Sequence, residues 1–384
     1  MKIALIHDHL AQDGGAEKVL KIFSEMFQEA PIYTLLFEKK QVNKYFADKK
    51  IETSIIQKLP GGVKHYQWYL SLMPLAIEFF DLREYELIIS DTSSFAKGVI
   101  TSPGSLHICY CHTPTRYLWS DTHQYINELK YNRLFKKIIS LVLSRIRLWD
   151  YAAAARVDFF IANSETVQKR IKKYYRRDSV VIYPPVETQK FSIKRTEAEE
   201  GGEFKKEKYF LIGCRLAPYK RVDIVIEAFK RLGPDYKLKI FGDGIDLKRL
   251  RKIAAGSSNI EFLGRVSDKH KAELYASAEA FINPQEEDFG ITVVESMAAG
   301  RPVIAYGKGG AKETVIEGFN GTFFKEQTSE AIYEALKKFE AISFKPEEIK
   351  NYAEKFSVAN FRRKIEAYIA WVQAGGQGEF LLKD

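Results

Sequence analysis

Two carboxylates eight positions apart, Glu287 and Glu295, bracket Phe289, Gly290, Ile291 and Thr292 in the stretch FINPQEEDFGITVVESMAAGRPVIAYGKGGAKE, residues 281–313. Short apolar runs at 280–283 and 302–306 lie between breakers, and 291–299 has helical periodicity, so the stretch predicts a strand, a helix and a parallel strand. Glu287 then falls in the loop leaving the first strand and Glu295 about one turn into the helix. A helix advances only ~1.5 Å per residue, so one carboxylate can face the reactive end of a ligand while the other reaches its middle. Between them, the main-chain N–H groups of a helix start have no acceptor inside the helix and hold phosphate well. Acid, amides and acid in that order suit a sugar, a diphosphate and a ribose. The same residues also read as plain structure, with Glu287 complementing a helix dipole and Glu295 a solvated helix residue.

The elements that must position these groups come from the whole chain. Its 384 residues, 46% hydrophobic, suffice for two domains of ordinary size. Apolar runs at 2–8, 32–37, 87–90, 106–111, 159–162 and 180–183 alternate with helical or loop segments. A second series at 209–214, 238–241, 260–263, 280–283, 302–306 and 321–324 does the same. Strands alternating with helices predict two doubly wound parallel sheets, and ligands of such sheets sit beyond the carboxyl ends of the strands. Residues at those ends are His7, Asp91, His112 and Asn163 in the first series. Tyr183-Pro184-Pro185-Val186 reads as a stiff hinge, since each proline fixes φ, and a cleft is expected between facing sheet edges. The predicted domains are 1–185, with the C-terminal helix 358–384 packing back on it, and 186–357. The charged, glycine-bearing segment 196–208 reads as a mobile loop.

Three loops add candidate ligand-binding groups. Gly14 and Gly15 stand between the first strand and a helix from Ala16, where a ligand can approach the backbone closely; an ordinary loop is the alternative, and the G-x-G-x-x-G fingerprint is absent. His112 lies in CYCHTPTRYLW, with Arg116 and Trp119 close behind. Arg215 and Lys220, five apart in RLAPYKRVD, are cations in a strand-to-helix loop that can clamp a diphosphate.

Composition bounds the partners. The formal charge is +9 and the pI about 9.1, which points to an anionic partner. Residues 129–149 contain no acid but carry Lys130, Arg133, Lys136, Lys137, Arg145 and Arg147, while Leu134, Phe135, Ile138, Ile139, Val142, Ile146 and Trp149 recur at helical spacing. A basic amphipathic helix or helix pair follows, either core-facing with a solvated basic back or leaning on an anionic membrane surface. The run QKRIKKYYRRD from Gln168 adds six cations. Nucleic acid is not expected, because none of the usual binding signatures is present. Cys109, Cys111 and Cys214 lack partners at metal spacing and read as reduced, buried thiols. With no signal peptide and no membrane span in the pattern, a cytoplasmic location is expected.

In order along the chain, GGAE (14–17), CHTPTRYLW (111–119), RLAPYKRVD (215–223), the E-x7-E element EDFGITVVE (287–295) and GGAKE (309–313) resemble the retaining glycosyltransferases of family 4, which have the two-domain GT-B fold. The resemblance covers nearly the whole chain, and RYLW looks like bacterial polysaccharide mannosyltransferases within that family. It implies an acceptor-side first domain and a nucleotide-sugar-binding second domain. Glu287 would then bond donor-sugar hydroxyls and Glu295 the ribose hydroxyls. The amides of Phe289, Gly290, Ile291 and Thr292, with Arg215 and Lys220, would hold the diphosphate. His112 would sit beneath the transferred sugar, Gly14 and Gly15 would close over donor and acceptor, and the base would lie near Arg265 and Val266. Asp288 departs from the family pattern, where glycine is common.

The implied activity is transfer of mannose from GDP-mannose, with retention, onto a lipid-linked glycan or polysaccharide at the inner face of the membrane. No cofactor is expected beyond the donor substrate, and no metal, because no D-x-D pair is present and fixed cations and amides can stabilise the leaving diphosphate. A UDP-sugar donor is the nearest alternative. A sugar-nucleotide epimerase, a phosphorylase of the same fold, or a membrane-surface binding protein with a vestigial site are alternatives of other classes.

Overall fold

The computed structural model describes residues 1–129, 131–192, 208–376, 378 and 380. Most of the charged segment read above as a mobile loop lies outside them. The chain divides into two compact units, Met1–Tyr183 together with the segment from Arg362, and Pro184–Phe361.

In the first unit β1 (Ile3–His7), β2 (Ile32–Thr34), β3 (Ile51–Thr53), β4 (Leu87–Thr92), β5 (Leu106–Cys111), β6 (Phe159–Ala162) and β7 (Val180–Val181) form a parallel sheet in the order β3-β2-β1-β4-β5-β6-β7. In the second, β8 (Tyr209–Gly213), β9 (Lys237–Phe241), β10 (Ile260–Gly264), β11 (Ala280–Asn283), β12 (Val303–Tyr306) and β13 (Gly321–Phe324) run parallel in the order β10-β9-β8-β11-β12-β13. Both sheets are the doubly wound kind expected. Each reverses direction once, between β1 and β4 and between β8 and β11. Chain leaving adjacent strands there turns to opposite faces and leaves a crevice at the carboxyl edge.

Several elements differ from the pattern for local reasons. β2 stops at Thr34, because Leu35 N–H turns to Asp8 O (3.2 Å) and the Thr34 hydroxyl to Leu36 O (3.2 Å). β7 ends at Val181, just before Pro184 and Pro185, which cannot donate to a ladder. β3 is a three-residue strand whose polar, half-buried sequence gives no apolar run. The C-terminal helix, Val358–Gln373, buries Phe361, Ile365, Tyr368 and Val372, and within the first unit Arg362 pairs with Glu25 while Trp371 meets Phe159.

The basic segment is one helix, Arg133–Arg156, with Asn132 Oδ1 capping Phe135 N–H at 2.9 Å. Its buried face is Leu143, Ile146, Asp150, Ala153 and Ala154, with Ile139, Val142 and Trp149 packed partly against the core. Leu134, Phe135 and Ile138, which the periodicity assigns to that same face, are exposed. The helix carries apolar residues on two sides, and a count of spacings merges them. Part of the second basic run is structural: Arg177 donates to the carbonyls of Ala154, Ala155 and Asp158 at 2.9–3.2 Å, closing the carboxyl end of the long helix.

Candidate active site

In the second unit the loops after β8 and β11 meet at the switch point. The Lys220 ammonium, from the loop after β8, pairs with Glu287 Oε1, from the loop after β11. Both side chains are largely buried, at 14% and 20% exposure. Burial alone would push the Lys220 pKa down; the charge of Glu287 beside it outweighs this and raises it, so the lysine stays cationic. The neighbouring Cys214 thiol is pushed up to about 12, by burial first and by Glu287, against the opposing effect of Lys220. Cys214, like the buried Cys109 and Cys111, is free of disulfides.

The helix Ile291–Ala298 starts at Gly290, whose φ of +91° is the left-handed conformation that favours glycine. A Cβ there would stand 3.4 Å from Glu287 Oε2, so the carboxylate lies against the helix start. Acid and first-turn amides thus form one surface, and Lys220 provides its cation. Glu287 also accepts from Gln285 Nε2 at 3.1 Å. The loop is braced from behind by the GGAKE glycines: Gly310 N–H donates to Glu287 O (2.8 Å), and a Cβ on Gly310 would strike Phe289 Cα at 2.4 Å. Phe289 is buried against Phe356. These contacts fix the main chain of 287–290 on which the site depends.

Glu295 is not a solvated helix residue. At 2% exposure it accepts from Lys271 Nζ (2.9 Å) and Tyr275 OH (3.3 Å), and burial, with Glu295, raises the Tyr275 pKa well above its ordinary value. A ribose diol offered to Glu295 would exchange with, or add to, these donors. Arg215 is exposed and lies 3.3 Å from Tyr219 OH. Arg265 is 78% exposed, with Asp243 Oδ2 at 3.6 Å, and Val266 is half-buried beside it. Ile291 and Thr292, in the first helical turn, are half-buried.

His112, Gly14 and Gly15 belong to the first unit, at its own switch point. His112 follows β5, its N–H held by Thr92 O (2.8 Å), and its Nε2 lies 2.6 Å from Asp91 Oδ1. The other Asp91 oxygen lies 3.0 Å from Nδ1 of His7, at the end of β1. His7 Nε2 in turn faces Glu17 Oε1 at 3.9 Å, a charge partner rather than a hydrogen-bond partner. Burial would lower the His7 pKa, but the Asp91 hydrogen bond and the two carboxylate charges raise it to about 10, so His7 is an imidazolium. Glu17 Oε2 accepts the Gly14 N–H at 3.0 Å, and a Cβ on Gly14 would stand 2.8 Å from that oxygen. Gly14 therefore makes room for a carboxylate that caps the helix Gly15–Met26. A continuous chain of polar contacts runs from His112 through Asp91, His7 and Glu17 to the Gly14 loop.

Asp150 anchors the rest of the loop that His112 heads. This buried carboxylate accepts from Thr115 Oγ1 (3.1 Å), Trp119 Nε1 (2.8 Å), Tyr175 OH (2.9 Å) and the Lys97 ammonium. Sequence reasoning missed Asp150, Glu17, Lys271, Asn283 and Gln285. The last two are buried at the carboxyl end of β11, and Asn283 Oδ1 and Gln285 Oε1 have no hydrogen-bond partner among the described residues. Buried acceptors without donors suit a hydroxylated ligand; their signal was two amides at a strand end, just before the acids. Among the described residues no group of His, Cys, Asp and Glu is arranged to hold a metal.

The two doubly wound units, with charged loops at each switch point, define the GT-B class. The crystal structure of HepE from Anabaena in complex with UDP, 19% identical, superimposes with a TM-score of 0.71 over 96% of this chain and all of that one. "Glycosyltransferase Family 4" matches residues 13–190 and "Glycosyl transferases group 1" residues 193–356. The chain belongs to the group 1, family 4 glycosyltransferases. The uncharacterized glycosyltransferase MJ1178 of Methanocaldococcus jannaschii is 30% identical over 53% of this chain, which spans a little over half, 57%, of that protein. The alpha-1,3/1,6-mannosyltransferase alg2 of Schizosaccharomyces pombe is 24% identical over 96% of this chain and 80% of its own length.

Proposed function

We propose that the protein transfers mannose from GDP-mannose, with retention of configuration and without a metal, to a lipid-linked or polysaccharide acceptor of cell-surface glycan synthesis, at the inner face of the membrane. The observation that carries transfer from a nucleotide sugar is the buried Lys220–Glu287 pair set against the helix start at Gly290. A diphosphate placed on those amides meets a lysine already held charged in a partly desolvated site. Charge that develops on the leaving diphosphate is then stabilised by groups that need not reorganise. Glu287 accepts hydrogen bonds from sugar hydroxyls, with Asn283 and Gln285 as further acceptors, Glu295 receives the ribose, and Arg215 adds a second cation. To His112, oriented by Asp91, we assign contact with the transferred sugar. Mannose is favoured by the likeness to alg2 over 96% of the chain.

A second reading, a UDP-sugar donor, has the HepE likeness as its support. A thermal-shift panel separates the two: GDP-mannose is expected to raise the Tm, and a shift with UDP-sugars but none with GDP-mannose would overturn the mannose assignment. Incubation with donor and no acceptor tests the enzyme class, since an epimerase makes a new sugar nucleotide and a transferase does not.

A further inference from the structure

The long helix Arg133–Arg156 turns a second apolar stripe away from the core. Leu134, Ile138, Leu141 and Leu148 are 68%, 51%, 61% and 73% exposed, and with Arg145 they recur at the spacing of one helix face. Tyr131 and Phe135, stacked at 5.9 Å, extend the stripe at its amino end and are also exposed. The adjoining segment, a 3-10 stretch Tyr66–Leu72 followed by the helix Met73–Glu78, repeats the arrangement. Met73, Ala76 and Ile77 share a core cluster with Leu143 and Ile146, whereas Trp68 (69%), Leu72 (40%), Leu75 (45%) and Phe79 (64%) face solvent. The two elements are joined through Glu78, which accepts from Trp149 Nε1 and Arg156, both at 2.8 Å.

Charge identifies what covers these stripes. Between residues 59 and 77 and between 129 and 149 there is no acid, while Lys64, Arg133, Lys136, Lys137 and Arg145 stand among the exposed apolar side chains. Glu78, the acid at the end of the first of these segments, is paired with Arg156 of the long helix. Among the described residues no helix is long and apolar enough to cross a membrane. Exposed Leu, Ile, Phe and Trp interleaved with cations, without acids, match an interface between anionic headgroups and acyl chains. We propose that the Arg133–Arg156 helix and the Tyr66–Phe79 segment together form a two-ridged docking surface that lies in the plane of an anionic lipid bilayer. This deepens, and rests on, the reading of the acceptor as lipid-linked: the first unit would bind the leaflet that carries its acceptor. The second ridge is what a purely electrostatic patch lacks, so binding depends on apolar insertion as well as charge.

The test is flotation of the full chain with phosphatidylcholine vesicles with and without phosphatidylglycerol, alongside Trp68 fluorescence. The protein is expected to float only with the anionic vesicles, and a blue shift of its emission is expected to vanish in Trp68→Tyr. Arg133→Gln/Lys137→Gln/Arg145→Gln should lower partitioning about 100-fold, at about fivefold per cation. Ile138→Ser/Leu141→Ser and, separately, Leu75→Ser/Phe79→Ser should each lower it at least about tenfold. All these side chains are exposed, so an unchanged Tm controls for folding. No binding to anionic vesicles, insensitivity to the Leu75/Phe79 variant, or a dimer that buries Trp68 without vesicles would each overturn the proposal. Intact donor-induced thermal shift without vesicle binding removes the docking surface alone; vesicle binding without any nucleotide-sugar shift removes the glycosyltransferase reading alone.

Discussion

Replacing His7 with glutamine should change how the stability of the first unit depends on pH. His7 is buried between Asp91, 3.0 Å from Nδ1, and Glu17, 3.9 Å from Nε2, and its pKa is raised from 6.5 to about 10. A folded pKa above the unfolded one means that the native state holds the proton longer. The stabilisation is complete below pH 6.5 and is lost as pH rises through about 10. Inside that window the native state binds one more proton than the unfolded state, so His7 contributes a loss of about 1.4 kcal/mol per pH unit. From pH 6.5 to about 8, below which the thiols of the unfolded chain are mostly protonated, the loss is about 2 kcal/mol. All four tryptophans, Trp68, Trp119, Trp149 and Trp371, belong to the first unit, so tryptophan fluorescence in urea follows that unit's unfolding. The wild type should lose stability over this range relative to His7→Gln, whose curve should lack the His7 slope. Nitrogen-15 histidine spectra of the wild type should show both His7 ring nitrogens protonated at pH 8, a reading that survives if the variant fails to fold. Parallel stability curves, or a neutral His7 ring at that pH, would refute the imidazolium and with it the charge link from His112 to the Gly14 loop.

Two further substitutions test the second unit. Lys220→Ala should weaken nucleotide-sugar binding about 10- to 100-fold by removing a buried cation and leaving Glu287 without its partner; in a cycle with Glu287→Gln, calorimetric binding should show coupling of about 1–3 kcal/mol, and additive effects would dissolve the pair as a functional unit. Gly310→Ala places a methyl group 2.4 Å from Phe289 Cα and must displace the loop 287–290, so donor affinity should fall by at least about tenfold while the first unit's tryptophan-monitored unfolding stays unchanged; unaltered affinity would show that the loop tolerates displacement.

Much of the plan was legible because it depends on short-range periodicity. Alternating apolar runs and helical spacings specify two parallel sheets, and once strands are placed, the residues at their carboxyl ends follow by topology. Lys220, Glu287 and the Gly290 helix start were all found that way. Gly310 could be located but not explained, because Phe289, which it admits, comes from a different loop; the Glu17 carboxylate that Gly14 admits is only three residues along, a local capping pattern. Periodicity also failed where one helix has two apolar sides. Leu134 and Leu143 look alike in a spacing count, and only the core packed beside the helix separates them.

The sequence by itself determined the elements, their order and the chemical types at each strand end, because these depend on residues close along the chain. Tertiary structure decided which groups carry charge and which are occupied. His7 is an imidazolium because Asp91, 84 residues away, is brought to its ring in a buried site, and Glu295 is buried because Lys271 and Tyr275, on another helix, reach it. Such pairings balance desolvation against Coulomb attraction over a few ångströms, and distances across a fold are set by packing, not by spacing along the chain.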